Sequence, residues 1–269
     1  MVAGADVFYG LNYGIEKDHC PTLETMKKDF AAIKKYTNRV RTFSLHICNQ
    51  ADMALEAAQA LGMQLYLGMW LDRQDTFDLE IQALKQVLAK HDFSNVDAII
   101  AGSEVLYRKD ADENTLANWV KEVKQLVQPK GVKVTNAETF NRLSQKVMSE
   151  LDFVSMNAFP YWEGVAINEA TQTLASHYEL VKGLAGGKSV MITETGWPSG
   201  GDNFGPAVPS IENQNKYIGQ VLCWSRKNNV NLLYFSAFEE AYKPGVEGHF
   251  GVMDSNGNVK KGINLNPTC

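Results

Sequence analysis

The feature that most constrains the fold is a regular alternation between short apolar runs and longer amphipathic stretches. Eight runs have the length and composition of strands: residues 7–13, 39–44, 64–70, 97–101, 133–137, 153–157, 189–193 and 232–238. Seven stretches between them carry apolar residues at helical spacing: residues 22–35, 51–61, 77–90, 114–127, 142–149, 168–184 and 211–227. Strand followed by helix, repeated to an eighth strand, predicts a closed (β/α)₈ TIM barrel, because right-handed crossovers of this size close after eight strands.

A doubly wound open sheet is the alternative architecture. It would usually carry a glycine-rich phosphate loop after the first strand, and the GLNYG segment at 10–14 does not match GxGxxG. We find no linker or low-complexity segment, and the short tail after Phe250 favours an eighth helix that is reduced or replaced by coil. The sequence therefore predicts a single domain over residues 1–269, with no large subdomain.

Charge and hydropathy exclude several classes of partner. The net charge of −5 argues against a nucleic-acid surface, and no apolar run is long enough to span a membrane. The first six residues lack the basic and apolar regions of a signal peptide. The five histidines form no metal-binding pattern, so we expect neither a metal nor a cofactor. The expected protein is a monomer that binds a neutral or small partner.

The four cysteines leave two interpretations open. Cys20, Cys48, Cys223 and Cys269 show no CxxC spacing, which disfavours a zinc site. They form either two disulfides or four reduced thiols in the core. We favour pairing Cys20 with Cys48, near the ends of consecutive strand units, and Cys269 with Cys223, which would staple the tail to a helix.

Two apolar runs end at a glutamate. The run 190–192 leads to Glu194 and then to a segment rich in glycine and proline, and the run 98–101 leads to Glu104. Each glutamate alone is equally well explained as a charged cap at a strand end. The carboxyl ends of barrel strands meet at one rim, however, so both side chains are expected to face one cleft. Two facing carboxylates are what glycoside hydrolysis requires.

Other strand ends supply aromatic and polar side chains to the same rim. The predicted substrate-binding residues are Tyr13, Trp70, Ser103, Tyr107, Glu138, Asn157, Trp162, Glu163, Trp197, Glu240, Lys243 and Glu247, and the rim also takes in Ser44, His46 and Asp72. A sugar presents an apolar face that packs on aromatic rings and a hydroxyl edge that bonds to carboxylates and amides. Each aromatic alone is better explained by packing, but together they predict a glycan-binding groove.

The segment Ile192-Thr-Glu-Thr-Gly-Trp-Pro-Ser199 resembles the nucleophile signature of glycoside hydrolase family 17, the β-1,3-glucanases and related glucanosyltransferases. The segment 102–107 resembles its acid/base motif, and further similar blocks lie at 135–139, 240–243 and 247–251. The resemblance implies a (β/α)₈ barrel and a retaining mechanism. It assigns Glu194 as nucleophile and Glu104 as acid/base.

One position departs from the pattern of the wider clan. The residue before the acid/base is often an Asn that binds the sugar 2-hydroxyl, and here it is Ser103, whose hydroxyl has a shorter reach. The Gly-Ser-Glu form resembles the fungal cell-wall branch more than the plant branch. The segment after the sixth strand is also too short for the plant subdomain. The resemblance therefore implies a secreted or cell-wall enzyme.

The expected reaction is double displacement on β-1,3-glucan or laminari-oligosaccharides, with water or a second glucan as acceptor. Tyr107, Trp162 and Glu163 follow the fourth and sixth strands and would form a platform on the leaving-group side, which favours glucanosyl transfer with residual hydrolysis. The alternatives are a plain endo-β-1,3-glucanase and a catalytically silent glucan-binding barrel. A sugar-phosphate isomerase or lyase is a further possibility, for which Gly200 and Gly201 give the only hint of a phosphate cradle.

Overall fold

The computed structural model describes residues 7–269 and contains a closed barrel of eight parallel strands in chain order. The strands are β1 (Gly10–Asn12), β2 (Arg39–Arg41), β3 (Gln64–Met69), β4 (Val96–Ser103), β5 (Lys133–Thr139), β6 (Val154–Asn157), β7 (Val190–Thr195) and β8 (Leu232–Tyr234). Closure comes from β1, which pairs with both β2 and β8. The predicted barrel is confirmed, and the open sheet is wrong. The first six residues, where the sequence predicts no signal peptide, lie outside the described residues.

Helices follow the strands on the outside of the barrel. They are α1 (Leu23–Ile33), α2 (Gln50–Leu61), α3 (Gln74–Lys90), α4 (Val105–Arg108), α5 (Glu113–Val127), α6 (Gln145–Glu150), α7 (Ile167–Leu184) and α8 (Ile211–Asn228). All the predicted helices are present, and the single turn α4 was not predicted. Within residues 7–269, none of the helices is both long and apolar enough to cross a lipid bilayer. After β8, the described chain forms a 3₁₀ helix (Gly245–His249) and coil, as the short tail predicted.

Two of the helices begin where the sequence places their first residues. The Thr22 hydroxyl accepts a hydrogen bond from the Thr25 amide at 3.1 Å, and the Ser210 hydroxyl accepts one from the Asn213 amide at 3.0 Å. Each cap satisfies an amide that has no partner inside the helix, and such a cap stabilises a helix by about 1 kcal/mol.

Apolar side chains fill two separate regions. A large cluster lies between the strands and the surrounding helices. A smaller one consists of Tyr66, Ala98, Ile100, Ala137, Met191 and Leu233, with Tyr9 and Phe153 against it. Because side chains alternate along a strand, these residues occupy the face opposite to the large cluster and fill the barrel interior. Polar residues nearer the carboxyl ends of the same strands therefore lie above a packed apolar layer.

The cysteines form two disulfides, Cys20–Cys48 and Cys223–Cys269, with Cα atoms 5.4 and 5.3 Å apart. The favoured pairing is confirmed and the reduced-thiol interpretation is wrong. Disulfides persist mainly in oxidising compartments, so this pairing fits an extracellular protein.

Candidate active site

A cleft of about 1270 Å³ opens at the carboxyl ends of the strands. This volume exceeds the roughly 300–1,000 Å³ of pockets for drug-sized ligands, so the cleft has room for several sugar rings. Predicted rim residues that line it are Ser44, His46, Trp70, Asp72, Ser103, Glu104, Tyr107, Asn157, Trp162, Glu163, Glu194, Glu240, Lys243 and Glu247. Most of the residues predicted from strand ends therefore line one cleft.

Glu194 lies near the end of β7 and is 8% exposed. Its Oε1 atom accepts hydrogen bonds from Arg41 Nη1 at 2.6 Å, Ser103 Oγ at 3.0 Å and Asn157 Nδ2 at 3.0 Å. Charge-assisted bonds of this kind are about twice as strong as neutral ones. Together the three donors compensate the negative charge of a carboxylate that is largely shielded from water.

Arg41, at the end of β2, is the cation of this site and is 1% exposed. Besides Glu194, its Nη1 atom contacts Asn12 Oδ1 at 3.2 Å and the Thr193 carbonyl at 3.1 Å, and its Nη2 atom donates to Ser103 Oγ at 3.1 Å. Its guanidinium carbon also lies 4.6 Å from the centre of the Phe43 ring. A side chain held from so many directions is locked in one geometry before substrate arrives.

Glu104 follows β4 directly, in a left-handed backbone conformation with φ of 57°. This conformation is uncommon for a residue other than glycine. The Glu104 amide donates to the Ala137 carbonyl at 2.7 Å, and Glu104 Oε1 accepts from Asn157 Nδ2 at 3.0 Å. Burial and then the nearby charge of Glu194 raise the pKa of Glu104 above its ordinary value. Glu104 is therefore suited to retain a proton.

The side-chain amide of Asn157 bridges the two carboxylates and limits the distance between them. Its Nδ2 atom lies 3.0 Å from Glu104 Oε1 and 3.0 Å from Glu194 Oε1, so these two oxygens are at most twice that distance apart. A single amide that bridges both carboxylates fits the roughly 5–5.5 Å between the carboxyl groups of retaining glycosidases, which are closer together than the roughly 6.5–9.5 Å of inverting ones. This close pairing suits attack by one carboxylate.

The hydroxyl of Ser103 is engaged mainly within the protein. It donates its one proton to Glu194 and accepts from Arg41 Nη2 at 3.1 Å. Asn157 Nδ2 lies 3.3 Å away, but its two protons have shorter contacts with the two glutamates, so at most one lone pair of Ser103 is left for a sugar. Ser103 lines the cleft, but its hydroxyl mainly helps to hold Arg41 and Asn157 in place.

A second ion pair borders the cleft beyond β8. Glu240 is buried and accepts from Lys243 Nζ and from the Tyr242 hydroxyl, each at 2.7 Å. A Cβ atom at Gly14 would lie 1.8 Å from Glu240 Oε1, so only glycine fits there. Lys243, predicted as a substrate-binding residue, thus also holds Glu240. Glu247, nearby in sequence, is exposed on the same side.

Comparison with known proteins identifies the family. A family model described as the BtgE/BtgC glycoside hydrolase domain matches residues 10–251. The chain belongs to this family. The resemblance to glycoside hydrolase family 17 is confirmed as well, because a solved member of that family has almost the same fold at high sequence identity.

That solved structure is a β-1,3-glucanosyltransferase of glycoside hydrolase family 17 from Rhizomucor miehei. It is 57% identical to this chain, covers 98% of it and 99% of its own length, and superposes with a TM-score of 0.96. An active-site mutant of the Rhizomucor miehei glucanosyltransferase, solved in complex with laminaritriose, matches equally well. A glucan 1,3-beta-glucosidase from Schizosaccharomyces pombe is 34% identical over 91% of this chain and 82% of its own length.

More distant structures share the fold. An endo-laminarinase from Formosa Hel1_33_131 is 18% identical and superposes with a TM-score of 0.79 over 93% of this chain and 84% of its own. At that identity the likeness establishes the barrel alone.

Two predicted substrate-binding residues of this BtgE/BtgC domain do not reach the cleft. Tyr13 is buried, and its hydroxyl donates to Asp29 Oδ2 at 2.7 Å. It follows Asn12, which faces the barrel interior, so alternation turns Tyr13 outward toward α1. Trp197 is also buried, and its indole donates to the Val208 carbonyl at 3.1 Å. The sugar-contact prediction for both is corrected, because counting to a strand end does not give the direction of the side chain.

Glu138 is the third correction, because it lies behind the cleft wall. Its carboxylate accepts from the backbone amides of Leu106 at 2.8 Å, Tyr107 at 3.3 Å and Thr139 at 2.9 Å. Burial nevertheless dominates and raises the pKa of Glu138 to about 7. Glu138 thus holds the first turn of α4, which begins immediately after Glu104.

Arg41 is the site residue that the sequence analysis missed. The available signal was a second arginine two positions after Arg39 inside a predicted buried run, since residues two apart in a strand face the same side. A charge that faces a barrel interior needs a buried partner. Arg39 finds Asp97 at 3.1 Å, and Arg41 finds Glu194.

Proposed function

We propose that this chain is a retaining glycosidase that cleaves internal linkages of β-1,3-glucan and transfers the glycosyl unit to a glucan acceptor, with residual hydrolysis. The observation that carries the proposal is the single amide of Asn157 within 3.0 Å of both carboxylates. The Rhizomucor miehei relative, named a β-1,3-glucanosyltransferase and solved with laminaritriose, supports the substrate class. We further propose that residues 1–269 act as one catalytic domain, monomeric and located outside the cell or in the cell wall.

In the first step, Glu194 attacks the anomeric carbon while Glu104 donates its proton to the departing glycosidic oxygen. Oε1 of Glu194 is held by three donors, whereas Oε2 accepts no hydrogen bond from residues 7–269 and is the oxygen available for attack. The same holds for Glu104, whose Oε1 is bonded to Asn157. Its Oε2 is the atom assigned to carry the proton.

In the second step, Glu104 is ionised and removes a proton from the incoming acceptor, whose oxygen displaces Glu194 from the anomeric carbon. Loss of the charge on Glu194 in the covalent intermediate lowers the pKa of Glu104 at that stage, because the repulsion between the two carboxylates disappears. The same group thus acts as acid in the first step and as base in the second.

Exposed aromatic rings support binding of an extended sugar chain. Tyr107 and Trp162 line the cleft and are 53% and 40% exposed. A sugar presents an apolar face that packs well on such rings where they line a groove. With Glu163 they would retain a glucan acceptor against water, since a bound acceptor needs no diffusional encounter.

A plain endo-β-1,3-glucanase is the second candidate. The open cleft favours it, because an open groove admits internal linkages and also admits water. Some curated relatives, such as one from Aspergillus niger, are named putative glucan endo-1,3-beta-glucosidases. The two candidates share the first step and differ only in the acceptor.

A time course of products from laminari-oligosaccharides, resolved by mass, separates these functions. Products longer than the starting sugar are expected and would support transfer. Only shorter products would leave the endo-glucanase, and no conversion at all would leave a glucan-binding barrel. Glu194→Gln is the control, since it removes the attacking carboxylate and is expected to give no products of either kind.

A further inference from the structure

His177, on the outer helix α7, joins two loops of the cleft wall. Its ring stacks on Phe140, with centroids 3.5 Å apart and planes 12° from parallel. Its Nε2 atom lies 2.8 Å from Glu163 Oε2. Phe140 follows β5 and Glu163 follows β6, and both line the cleft. One side chain from behind the wall therefore fixes residues of two separate loops.

The contact between His177 and Glu163 has a defined polarity. An ionised carboxylate only accepts hydrogen bonds, so the proton lies on His177 Nε2. The other oxygen of Glu163, Oε1, makes no hydrogen bond with residues 7–269. His177 thus fixes one oxygen of Glu163 and leaves the other as an acceptor at the cleft surface, where a sugar hydroxyl would meet it.

Other side chains of α7 also pack against the barrel. The buried side chains of Ala170, Leu174, Tyr178 and Val181 attach α7 to the barrel, and the His177 side chain is 17% exposed. Its two contacts are instead directed at the cleft wall. If His177 only stabilised the fold, its contacts with Phe140 and Glu163 would have no effect on the reaction.

We propose that His177 is a positioning residue for the sugar acceptor, acting through Glu163 and Phe140. This inference rests on the proposed glucan transfer. A sugar acceptor must be held in one orientation to compete with water, whereas water needs no such wall. Loosening the wall therefore lowers transfer more than it lowers cleavage of the donor, and His177 itself touches neither the substrate nor the reacting carboxylates.

Three variants separate the two contacts of His177. His177→Phe keeps a flat ring against Phe140 but loses the donor to Glu163, and His177→Gln keeps a donor but loses the stack. Glu163→Gln removes the charge of the partner without altering α7. The matched control is His91→Phe, because His91 Nε2 contacts Asp52 Oδ1 at 2.7 Å with 12% exposure but does not line the cleft.

The measurement is the ratio of initial rates for products longer and shorter than the starting laminari-oligosaccharide, with thermal unfolding as a check on folding. We expect His177→Phe and Glu163→Gln each to lower the ratio about two- to fivefold, the factor expected for one partly exposed polar contact. Donor consumption falls less than the ratio, the apparent KM for an added acceptor rises, and His177→Gln restores part of the ratio. The double variant falls no further than either single variant, because both remove the same interaction.

Two results would overturn the inference. One is a folded His177→Phe or Glu163→Gln variant that keeps the wild-type ratio, and the other is an equal loss in His91→Phe. If the wild-type protein forms no products longer than the starting sugar, the proposed transfer fails and this inference fails with it. If the wild type transfers and the variants do not differ from it, the inference alone fails.

Discussion

Replacing Arg41 with methionine tests whether the buried guanidinium sustains the reaction. Methionine keeps much of the length of the side chain and removes the charge. Arg41 Nη1 lies 2.6 Å from Glu194 Oε1, and the two side chains are 1% and 10% exposed. The substitution therefore leaves a shielded carboxylate without its cation, while Ser103 and Asn157 continue to donate to it.

Removing one partner of a buried ion pair costs about 3–5 kcal/mol when the other stays charged. The lower end applies here, because two neutral donors remain and Glu194 borders an open cleft. In the resting protein Glu194 can escape this cost by binding a proton, but a protonated carboxyl is a poor nucleophile. Most of the roughly 3 kcal/mol is therefore expected in the rate, which corresponds to a fall of about 100-fold in kcat/KM. KM should change little, because Arg41 does not line the cleft.

Initial rates on laminari-oligosaccharides and unfolding in denaturant would be measured together. Arg39→Met is the matched control on the same strand: Arg39 contacts Asp97 at 3.1 Å, both side chains are about 30% exposed, and neither lines the cleft. It should cost at most about 1 kcal/mol of stability and leave the rates unchanged. Adding Glu194→Gln to Arg41→Met should recover stability, because no unpaired charge then remains. A folded Arg41→Met variant with more than about a third of wild-type kcat/KM would refute the reasoning.

Three further predictions concern protons and covalent links. Glu104→Gln should slow cleavage of glucan by about 10²–10⁴-fold but slow cleavage of an aryl glucoside less, because a good leaving group needs no acid. In the wild type the rate should fall as pH rises through the raised pKa of Glu104. NMR titration should find a lower pKa of Glu104 in Glu194→Gln, where the neighbouring charge is absent. The pKa of Glu138 is about 7 in the folded protein against roughly 4.3 in the unfolded chain, so the folded state binds the proton more tightly. The free energy of unfolding should therefore decrease as pH rises between these values. Denaturant unfolding at pH 5 and pH 8 should show a weaker pH dependence for Glu138→Gln. Replacing Cys223 and Cys269 by serine should lower the unfolding free energy by about 2–4 kcal/mol while kcat is kept, because neither residue lines the cleft.

The order of strands and helices was predictable because it depends on local periodicity. The α-helix that was not predicted, α4, is a single turn whose first amides, those of Leu106 and Tyr107, donate to Glu138 on the neighbouring strand β5. That partner lies more than thirty residues away in sequence, so no local pattern announces the turn. Elements that depend on a distant side chain escape periodicity arguments.

The two glutamates were predictable, but the cation that contacts Glu194 was not. An apolar run that ends at a carboxylate is a local signal, and it placed Glu104 and Glu194 correctly at the cleft. Arg41 comes from β2 and Glu194 from β7, which are not neighbours in the barrel, so their contact passes across the interior. Only the closed fold brings such residues together. Tyr13 was misplaced for the opposite reason, since β1 ends one residue earlier than expected and alternation turns the side chain outward.

The surroundings of the two carboxylates decide where the proton lies. Carboxylates this close repel each other when both are ionised, so one of them holds a proton. Glu194 Oε1 accepts three hydrogen bonds, one of them from a guanidinium, whereas Glu104 accepts only the shared amide of Asn157 from residues 7–269. The negative charge is thus better compensated on Glu194, and the proton remains on Glu104. The division into nucleophile and acid follows from which strand ends surround each residue, because Arg41 and Ser103 both direct their donors to β7.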